Sequence, residues 1–434
     1  MVINKDLELL KELYADEASS SSVKTNILYI LCLLAKVKQA LPEIVLKNSS
    51  NDSLFVPFPI LNEHDKKNID ITEYDLLEEP SPINEDKVVT LCKMQAGLGT
   101  SVKRDDLIQR YKKSKEIGSK GTDLYIKYNE CFISLAELQL IRAYDLIQDK
   151  VFSKINFQNL VNSETEKSVD EIWDLKHLET EKTYRELFKE DSLQKLPDIK
   201  QLMAPSLRDG SMSLTTERLA PAGHGYLGFY ILLELFNASN VADEIIAIGN
   251  GEDLESNPDQ KIISWIAKKE IPIVMITTDK LEKDKKGGQF ALVKDTAPYI
   301  TIIEKAQAEK SGQLAFFEEL GLREGDQKSL FNTNIVIINK KSLKNLFRTY
   351  LKISEESFID AISPDIIKNT KEQNGKKYIQ VEGALGSVML NLDKFFRKEY
   401  DYPLVHFLNL SAKSRELFFK PIKKREDFDR LYSC

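Results

Sequence analysis

A strand-like apolar run that breaks into a Gly-rich turn limits the possible folds of this chain more than any other feature. The run is Val88–Cys92, and the turn after it is Lys93–Ser101, with the sequence KMQAGLGTS. Glycine has no side chain to block approach and tolerates positive φ, so such a turn exposes backbone N–H groups to a ligand. A phosphate or a nucleobase suits it. The turn alone is a weak signal, because strand–turn–helix units with two glycines are common.

The signal gains weight from unusual segments that follow the turn in a fixed order. They are Ile117–Gly121, Pro221–Gly225, Gly249–Asp253, Lys286–Gly288 and Phe331–Asn334. Between them, short β-branched runs alternate with helix-like stretches, which favours a mostly parallel sheet with helices on both faces. In such a sheet, ligands bind outside the carboxyl ends of the strands. The Gly-rich turn and Gly249–Asp253 both follow predicted strands, so we expect one shared site.

The chain length and composition indicate a large globular protein. Its 434 residues are too many for one ordinary core. We predict a helical segment and irregular connection over residues 1–86, a catalytic domain over 87–345 and an α+β region over 346–434. The last region lacks the short apolar repeats of a left-handed β-helix.

Charge and cysteine usage exclude several classes of protein. A net charge of -7 argues against a nucleic-acid binder, which needs a basic surface to displace counterions. The four cysteines are widely spaced, which predicts reduced thiols in a cytoplasmic protein. The most apolar window, residues 26–35, is too short to span a bilayer, so no membrane is expected.

The ordered segments resemble those of the UDP-sugar pyrophosphorylase family, most closely its UTP:glucose-1-phosphate uridylyltransferases. The Gly-rich turn is similar to the family's Leu-x-Gly-Gly-Leu-Gly-Thr-Ser loop, and Pro221–Gly225 is similar to its Pro-Pro-Gly-His-Gly loop. The resemblance covers roughly residues 86 to 420. Further matching segments are Lys286–Gly288, Ile303–Gln307, Phe331–Asn334 and Ile379–Ala384.

The resemblance implies a fold and a reaction. The fold is a Rossmann-like nucleotidyltransferase of the GT-A type, here without the C-terminal β-helix of some family members. Oligomerisation through that domain would then not be available, which is compatible with a monomer, but the sequence leaves the oligomeric state open. The reaction joins UTP and glucose 1-phosphate to give UDP-glucose and pyrophosphate. The attacking phosphate oxygen is already ionised, so charge neutralisation and alignment suffice, with Mg²⁺ as the implied cofactor.

The resemblance also implies nucleotide-binding residues. Backbone N–H groups of the Gly-rich turn would bind the triphosphate, and its first residues would line the base pocket. His224 would contact ribose or phosphate, although it could instead cap the following helix. The predicted nucleotide-binding residues are Met94, Gln95, Ala96, Gly97, Leu98, Gly99, Thr100, Gly223, His224 and Gly225. Ala96 stands where the family has a second glycine.

Charged groups would complete the catalytic site. Lys120 is similar to the lysine of the family's Gly-Pro-Lys-Ser segment, and Lys103 is its rival. Lys413 resembles a second phosphate-binding lysine. For the metal we favour Asp253 over Glu252, because Asp is the family's residue type, although an ungapped alignment places Glu252 at the ligand position.

The sugar phosphate would lie against polar side chains and bare backbone further along the chain. The predicted sugar-binding residues are Asn250, Gly287, Gly288, Glu304, Asn332, Asn334 and Glu382. Buried Asn and Glu side chains need partners, and sugar hydroxyls provide them.

Three alternatives stay open at the level of sequence. The sugar could be N-acetylglucosamine 1-phosphate or another hexose 1-phosphate. The departures at Ala96, Ser119, Glu252 and the region Ser411–Leu417 would fit a catalytically lapsed relative that binds nucleotide sugars. An unrelated dinucleotide-dependent oxidoreductase is the third, but the turn lacks the Gly-x-Gly-x-x-Gly spacing.

Overall fold

The computed structural model describes most of the chain. The described residues are 2–15, 21–37, 55–58, 61, 65, 69–80, 87–99, 105–111, 116–209, 213–285, 287–294, 297–322, 328–373, 375–423 and 425–429.

Nineteen strands are present within these residues. They are β1 Phe55–Pro57, β2 Ile71–Glu73, β3 Val88–Met94, β4 Tyr125–Tyr128, β5 Cys131–Ser134, β6 Ile155–Val161, β7 Lys189–Glu190, β8 Leu193–Lys195, β9 Ile199–Lys200, β10 Met203–Arg208, β11 Leu214–Pro221, β12 Glu244–Asn250, β13 Ile273–Asp279, β14 Gln289–Val293, β15 Tyr299–Ile303, β16 Leu330–Asn339, β17 Ile366–Gln373, β18 Lys376–Gly383 and β19 Val405–Leu410.

The α-helices alternate with these strands through much of the chain. Their bounds are Val2–Leu13, Ser21–Val37, Asp105–Tyr111, Lys120–Asp123, Leu135–Gln148, Glu166–Ile172, Tyr184–Leu187, Gly225–Asn237, Gln260–Lys268, Lys305–Lys310, Leu314–Glu319, Lys340–Tyr350, Glu355–Ile362, Leu385–Tyr400, Ala412–Phe418 and Arg425–Asp429. No described helix combines the length and apolar character needed to cross a bilayer.

A large mixed sheet forms the centre of the molecule, with the order β2-β19-β13-β16-β12-β3-β6-β8-β7. Most neighbours in this order are parallel, whereas β16 runs antiparallel to both β12 and β13. The antiparallel strand β14 extends the sheet from β16 and pairs with β1 and β15. The predicted mostly parallel sheet with flanking helices is confirmed.

Side chains of the central strands alternate between two cores because successive residues of a strand point to opposite faces. In β12, Ile246 and Ile248 pack with the helices Gly225–Asn237 and Leu385–Tyr400. Ile245 and Ala247 face the opposite core, which contains residues of the helices Leu135–Gln148 and Gln260–Lys268. Burial on both faces explains why these strands read as continuous apolar runs.

A smaller antiparallel sheet has the order β11-β10-β18-β17. It brings the end of β11, before the Gly-His-Gly segment, next to the end of β18. The N-terminal helix Ser21–Val37 supports this junction, since the Tyr29 ring makes edge contacts with Tyr226 at 5.5 Å and Phe229 at 5.3 Å between centroids.

Strands from both predicted flanking regions enter the central sheet. β2, from the region before residue 87, pairs with β19, from the region after residue 345, and β19 in turn pairs with β13. The three-part division of the chain stays a prediction.

Candidate active site

The predicted site residues of the Gly-rich turn, of the loop after β12 and of the Phe331–Asn334 segment lie where β3, β6 and β12 end and β16 begins. The Gly-rich turn after β3 is held on both sides by backbone hydrogen bonds: Gly251 N–H donates to the Met94 carbonyl (3.2 Å), and Gln95 N–H donates to the Leu160 carbonyl (2.9 Å). Asn162 Nδ2, just after β6, donates to the Ala96 carbonyl (2.7 Å). Met94, Gln95 and Ala96 are therefore buried, whereas Gly97 is exposed at the sheet edge.

A buried amide chain connects the Gly-rich turn to the loop after β12. Gln139, on the helix Leu135–Gln148, accepts a hydrogen bond from Gln95 Nε2 (3.1 Å). Its own Nε2 donates to the carbonyls of Gly251 and Asp253, both at 3.1 Å. Ser119 Oγ donates to Gln95 Oε1 (2.9 Å). The side chain of Gln95 is thus committed to protein partners and does not itself face a ligand.

Lys120 lies directly over the Gly-rich turn. Its N–H donates to the Gly97 carbonyl (3.2 Å) at the start of the short helix Lys120–Asp123. Its side-chain stem covers Gly99, whose φ of +56° and lack of a Cβ allow this approach; an added Cβ would lie 2.7 Å from Lys120 Cδ. Lys120 Nζ ends 3.7 Å from Glu252 Oε1. The rival residue Lys103 lies outside the described residues, as does Thr100.

The two adjacent carboxylates after β12 point to different environments. The Glu252 side chain keeps 30% of its surface exposed and faces Lys120 across the cleft. Asp253 is completely buried. Asp253 Oδ1 accepts from the N–H groups of Lys420 (2.9 Å) and Glu255 (3.1 Å). Burial raises the pKa of Asp253, and the nearby Lys93 ammonium opposes that shift.

A lysine that the sequence analysis did not single out also reaches the cleft. Lys423 Nζ lies 5.0 Å from the centroid of the Phe331 ring. Burial within the protein lowers the pKa of Lys423, the carboxylates of Asp284 and Glu252 oppose that shift, and the cation of Lys120 adds to it. The contact with the Phe331 ring places the Lys423 amine beside the cleft, and the residue keeps access to solvent.

Lys413, the predicted second phosphate lysine, occupies a different position. It is exposed in the first turn of the helix Ala412–Phe418. In the same helix, Arg415 is buried and binds Asp284 through two hydrogen bonds, at 2.5 Å and 3.0 Å. The structure therefore brings Lys120 to the Glu252 carboxylate, places the Lys423 amine over the Phe331 ring, and leaves Lys413 on the helix surface.

The Gly-His-Gly segment packs against the end of β18. Gly223 has a φ of +87°, and a Cβ there would lie 2.5 Å from the Gly383 carbonyl oxygen. His224 Nδ1 accepts a hydrogen bond from Leu385 N–H (2.9 Å), at the start of the helix Leu385–Tyr400. Burial lowers the pKa of His224, and the Glu252 charge opposes that shift. The neutral ring therefore carries its proton on Nε2, which can donate to a ligand.

His224 makes no side-chain cap for the helix that follows it, Gly225–Asn237. It instead satisfies an N–H group of a second helix, 161 residues away in sequence. Glu382 lies beside the same loop, since a Cβ on Gly223 would be 2.9 Å from Glu382 Cβ. Glu382 Oε1 accepts from Asn369 Nδ2 (2.9 Å), and burial raises its pKa.

The predicted sugar-binding residues flank the start of β16. Asn250 Nδ2 donates to the Thr333 carbonyl (3.2 Å), which connects β12 to β16. Asn332 Nδ2 donates to Asn334 Oδ1 (3.0 Å). Asn334 has a φ of +61°, a left-handed conformation that Asn tolerates better than most residues.

Glu304 and the Gly287–Gly288 pair lie beside the start of β16. Asn332 N–H donates to the Gly288 carbonyl (3.0 Å). A Cβ at Gly288 would lie 2.7 Å from Glu304 Oε1, and one at Gly287 would lie 2.0 Å from the Phe331 ring. Burial raises the pKa of Glu304, and Lys423 opposes that shift. Lys286 lies outside the described residues.

The residues present can contribute one cleft-facing carboxylate to a divalent cation. No group of three or more His, Cys, Asp or Glu side chains suited to a metal ion occurs in the described part of the chain. A site with Glu252 as its protein ligand is compatible with Mg²⁺, which keeps several waters and takes its other ligands from substrate phosphates.

Comparison with known proteins identifies the family. A model of the UTP–glucose-1-phosphate uridylyltransferase family matches residues 124–420. The chain belongs to this family. The resemblance expected from the ordered motifs is therefore confirmed, and the family model covers every predicted site residue from His224 to Lys413.

Individual family members are distant in sequence. A curated UTP–glucose-1-phosphate uridylyltransferase of Encephalitozoon cuniculi is 26% identical over 329 residues, which is 74% of this chain and 56% of the relative. The chain thus spans little more than half the length of that relative.

Solved structures share the fold. A UDP-glucose pyrophosphorylase from Leishmania major, solved in open and closed forms, superposes with a TM-score of 0.68 at 18% identity and covers 98% of this chain and 79% of its own. A variant of that enzyme in complex with UDP-glucose gives a TM-score of 0.66 at 18% identity, with 98% and 78% covered.

Proposed function

We propose that this chain is an Mg²⁺-dependent uridylyltransferase that forms UDP-glucose and pyrophosphate from UTP and glucose 1-phosphate. One observation carries the proposal: Lys120 Nζ and the Glu252 carboxylate meet at 3.7 Å beside a turn with exposed backbone at Gly97. This combination suits a triphosphate and its metal. Membership of the family supports the same activity.

The two lysines of the cleft would stabilise the charge that develops in this reaction. A glucose 1-phosphate oxygen would attack the α-phosphorus of UTP, forming a new P–O bond while the bond to the β-phosphate oxygen breaks and pyrophosphate leaves. Lys120 and Lys423 would neutralise the charge that the transferring phosphoryl group spreads over its oxygens. The attacking oxygen is already ionised, so the reaction needs no general base.

The metal and the histidine would act on the substrates directly. Glu252 would hold Mg²⁺, which screens charge between the phosphates and orients them when it is bound. His224 Nε2–H would donate to ribose or phosphate oxygen. Asn250 and Glu304 would accept or donate hydrogen bonds at the sugar hydroxyls, which sets the preference for one hexose 1-phosphate.

Pyrophosphate release from purified protein tests this proposal. UTP and Mg²⁺ would be combined in parallel with glucose 1-phosphate, N-acetylglucosamine 1-phosphate and galactose 1-phosphate. We expect release with glucose 1-phosphate. Silence with all three sugars, in a protein that binds UTP by calorimetry, would contradict uridylyl transfer to these sugars and favour a lapsed or differently specific relative.

Substitution of the two lysines tests their roles. Lys120→Ala and Lys423→Ala should each lower kcat by about 100-fold or more, because removing a preorganised charge from a transition state costs roughly 3 kcal/mol. Lys398→Ala is a suitable control, since Lys398 is exposed and pairs with the neighbouring Glu399. Near-normal turnover of Lys120→Ala would overturn its assignment, and a larger loss in Lys413→Ala than in Lys423→Ala would return the second role to Lys413.

A further inference from the structure

We propose that Asp253 is a positioning residue, which anchors the segment Lys420–Lys423 beside the Glu252 loop and thereby holds the Lys423 amine in the cleft. The proposal rests on the proposed function, because it takes a role for Lys423 in turnover as given. It assigns Asp253 a task different from metal binding.

The anchor consists of hydrogen bonds between the loop after β12 and the segment Lys420–Lys423, which lie far apart in the sequence. Asp253 Oδ1 accepts from Lys420 N–H at 2.9 Å. The segment also pairs with the loop through its backbone, from Leu254 N–H to the Lys420 carbonyl (3.3 Å) and from Ile422 N–H to the Glu252 carbonyl (3.1 Å). Asp253 and Pro421 form an antiparallel bridge between these contacts. The segment Lys420–Ile422 thus pairs with the loop as a short antiparallel β-bridge.

The surroundings of Asp253 suit an anchor better than a metal ligand. The side chain has no exposed surface, whereas the adjacent Glu252 faces the cleft. Its Oδ1 already binds two N–H groups, and hydrogen bonds from backbone donors to a carboxylate are stronger than neutral ones. Its Oδ2 has no hydrogen-bond partner among the described residues, but this atom is buried and has no exposed surface that could reach an ion in the cleft.

A buried cation completes the charge balance around the anchor. Lys93, at the end of β3, is fully buried and donates from Nζ to the Ser256 carbonyl (2.9 Å), to Ser256 Oγ (2.8 Å) and to Asn257 Oδ1 (2.7 Å). Its positive charge interacts with Asp253. A buried carboxylate is tolerated when it is hydrogen-bonded and faces such a counter-charge.

The anchor lies close enough to Lys423 to fix its position. Only Pro421 and Ile422 separate Lys420 from Lys423, and Ile422 is itself buried. On the other side of the amine, the Phe331 ring lies 5.0 Å away. A misplacement of about 1 Å can cost a reaction roughly 100-fold. Loss of the Asp253 contact should therefore lower turnover through Lys423.

Hydrogen–deuterium exchange of the full chain tests the anchor without any assay of activity. We expect the amides of Lys420 and Ile422 to exchange at least tenfold faster in Asp253→Ala than in the wild type. Asp253→Asn keeps an acceptor at the Oδ1 position and should retain most of the protection. Unchanged exchange at both amides in Asp253→Ala would overturn the proposal.

Asp393 provides a matched control. It is also fully buried, and its Oδ1 accepts from two backbone N–H groups, those of Leu404 (2.6 Å) and Val405 (2.9 Å). Asp393→Ala should destabilise the protein as a whole and leave the two amides of the segment no faster than their neighbours. Equal acceleration in both variants would attribute the effect to global loosening and contradict the anchor.

A double-mutant cycle with Lys423→Ala tests the functional half. If Asp253 acts through Lys423, Asp253→Ala should lower kcat in the wild-type background and change it by less than about threefold in Lys423→Ala. Losses that multiply would refute the coupling. If the wild type shows no turnover, the proposed function fails, and the exchange experiment still decides the anchor.

The conservative variant keeps the proposal testable if Asp253→Ala does not fold. Asp253→Asn should need the same Mg²⁺ concentration for half-maximal turnover as the wild type, whereas Glu252→Gln should need at least tenfold more. A rise in the Mg²⁺ requirement of Asp253→Asn that equals the rise in Glu252→Gln would show Asp253 acting on the metal and overturn its role as an anchor.

Discussion

Replacement of Gly97 by alanine should move stability and nucleotide affinity in opposite directions. No heavy atom of the described residues lies within 4 Å of a Cβ built on Gly97, and its φ is outside the left-handed region. Alanine therefore fits the free protein. A Gly→Ala change that the native backbone accepts stabilises by about 0.4–1 kcal/mol, because it restricts the unfolded chain.

The same methyl group would occupy the face of the turn on which the proposed nucleotide binds. If a phosphate or base lies against the bare backbone, the methyl group must displace it, and we expect UTP affinity to fall at least tenfold. That loss corresponds to about 1.4 kcal/mol. The free energy of unfolding should thus stay equal or rise while the binding free energy weakens.

Gly251→Ala supplies the contrast. A Cβ there would lie 2.6 Å from the Met94 carbonyl oxygen and 2.6 Å from Gln95 Oε1, in the tight junction of β3 and β12. Such overpacking costs about 1–3 kcal/mol. Urea unfolding and calorimetric titration with UTP would measure both variants. Wild-type UTP affinity in Gly97→Ala would refute close approach of the nucleotide to the turn. A lower free energy of unfolding in this variant would refute the open space around a Cβ at Gly97.

Two further predictions concern buried charge. Burial raises the pKa of Glu137 to about 7 from 4.5. Between these two pH values the folded state keeps a proton on Glu137 that the unfolded state releases. The contribution of the protonated side chain to the free energy of unfolding is therefore complete below pH 4.5 and is lost as the pH rises through 7. The free energy of unfolding of Glu137→Gln, measured in urea, should therefore rise relative to that of the wild type by up to about 3 kcal/mol between pH 5 and pH 8. A constant difference in stability between the two proteins over this pH range would contradict the prediction. Arg415→Met should cost about 3–5 kcal/mol by leaving the buried Asp284 unpaired, whereas Arg208→Met, which breaks an exposed pair with Glu217, should cost less than about 1 kcal/mol; similar losses in the two variants would refute the effect of burial.

The sheet was predictable from sequence because its central strands are buried on both faces. Ile245–Ile248 reads as a continuous apolar run for that reason. The antiparallel direction of β16 was not predicted, since the apolar pattern of a strand is the same in either direction. Pairing with β12 and β13 fixes the direction, and it brings Asn332 and Asn334 to the same sheet edge as the Gly-rich turn.

The candidate site was predictable in outline and not in detail. Glycine-rich segments mark where backbones approach each other, so the turn, Gly223 and Gly251 stood out. The different surroundings of Glu252 and Asp253 could not be read from adjacent letters, because they depend on the segment around Lys420, 167 residues away. Lys423 lies in a charged segment, and only the pairing of this segment with the loop after β12 places it beside the cleft. Gln139 carried one signal, a polar residue between Leu138 and Leu140 on a buried helix face.

The three charged groups of the cleft are anchored through the backbone, which leaves their tips available. Lys120 is fixed by its N–H to Gly97, Glu252 by its carbonyl to Ile422, and Lys423 by the paired segment before it. The ion pair between Lys120 and Glu252 is long, at 3.7 Å. Lys120 thus faces the Glu252 carboxylate in a partly desolvated cleft, with the Lys423 amine over the Phe331 ring. Opposite charges attract more strongly in such a cleft than in water. Such an arrangement favours a polyanion that brings its own divalent cation, and it disfavours a neutral ligand of the same size.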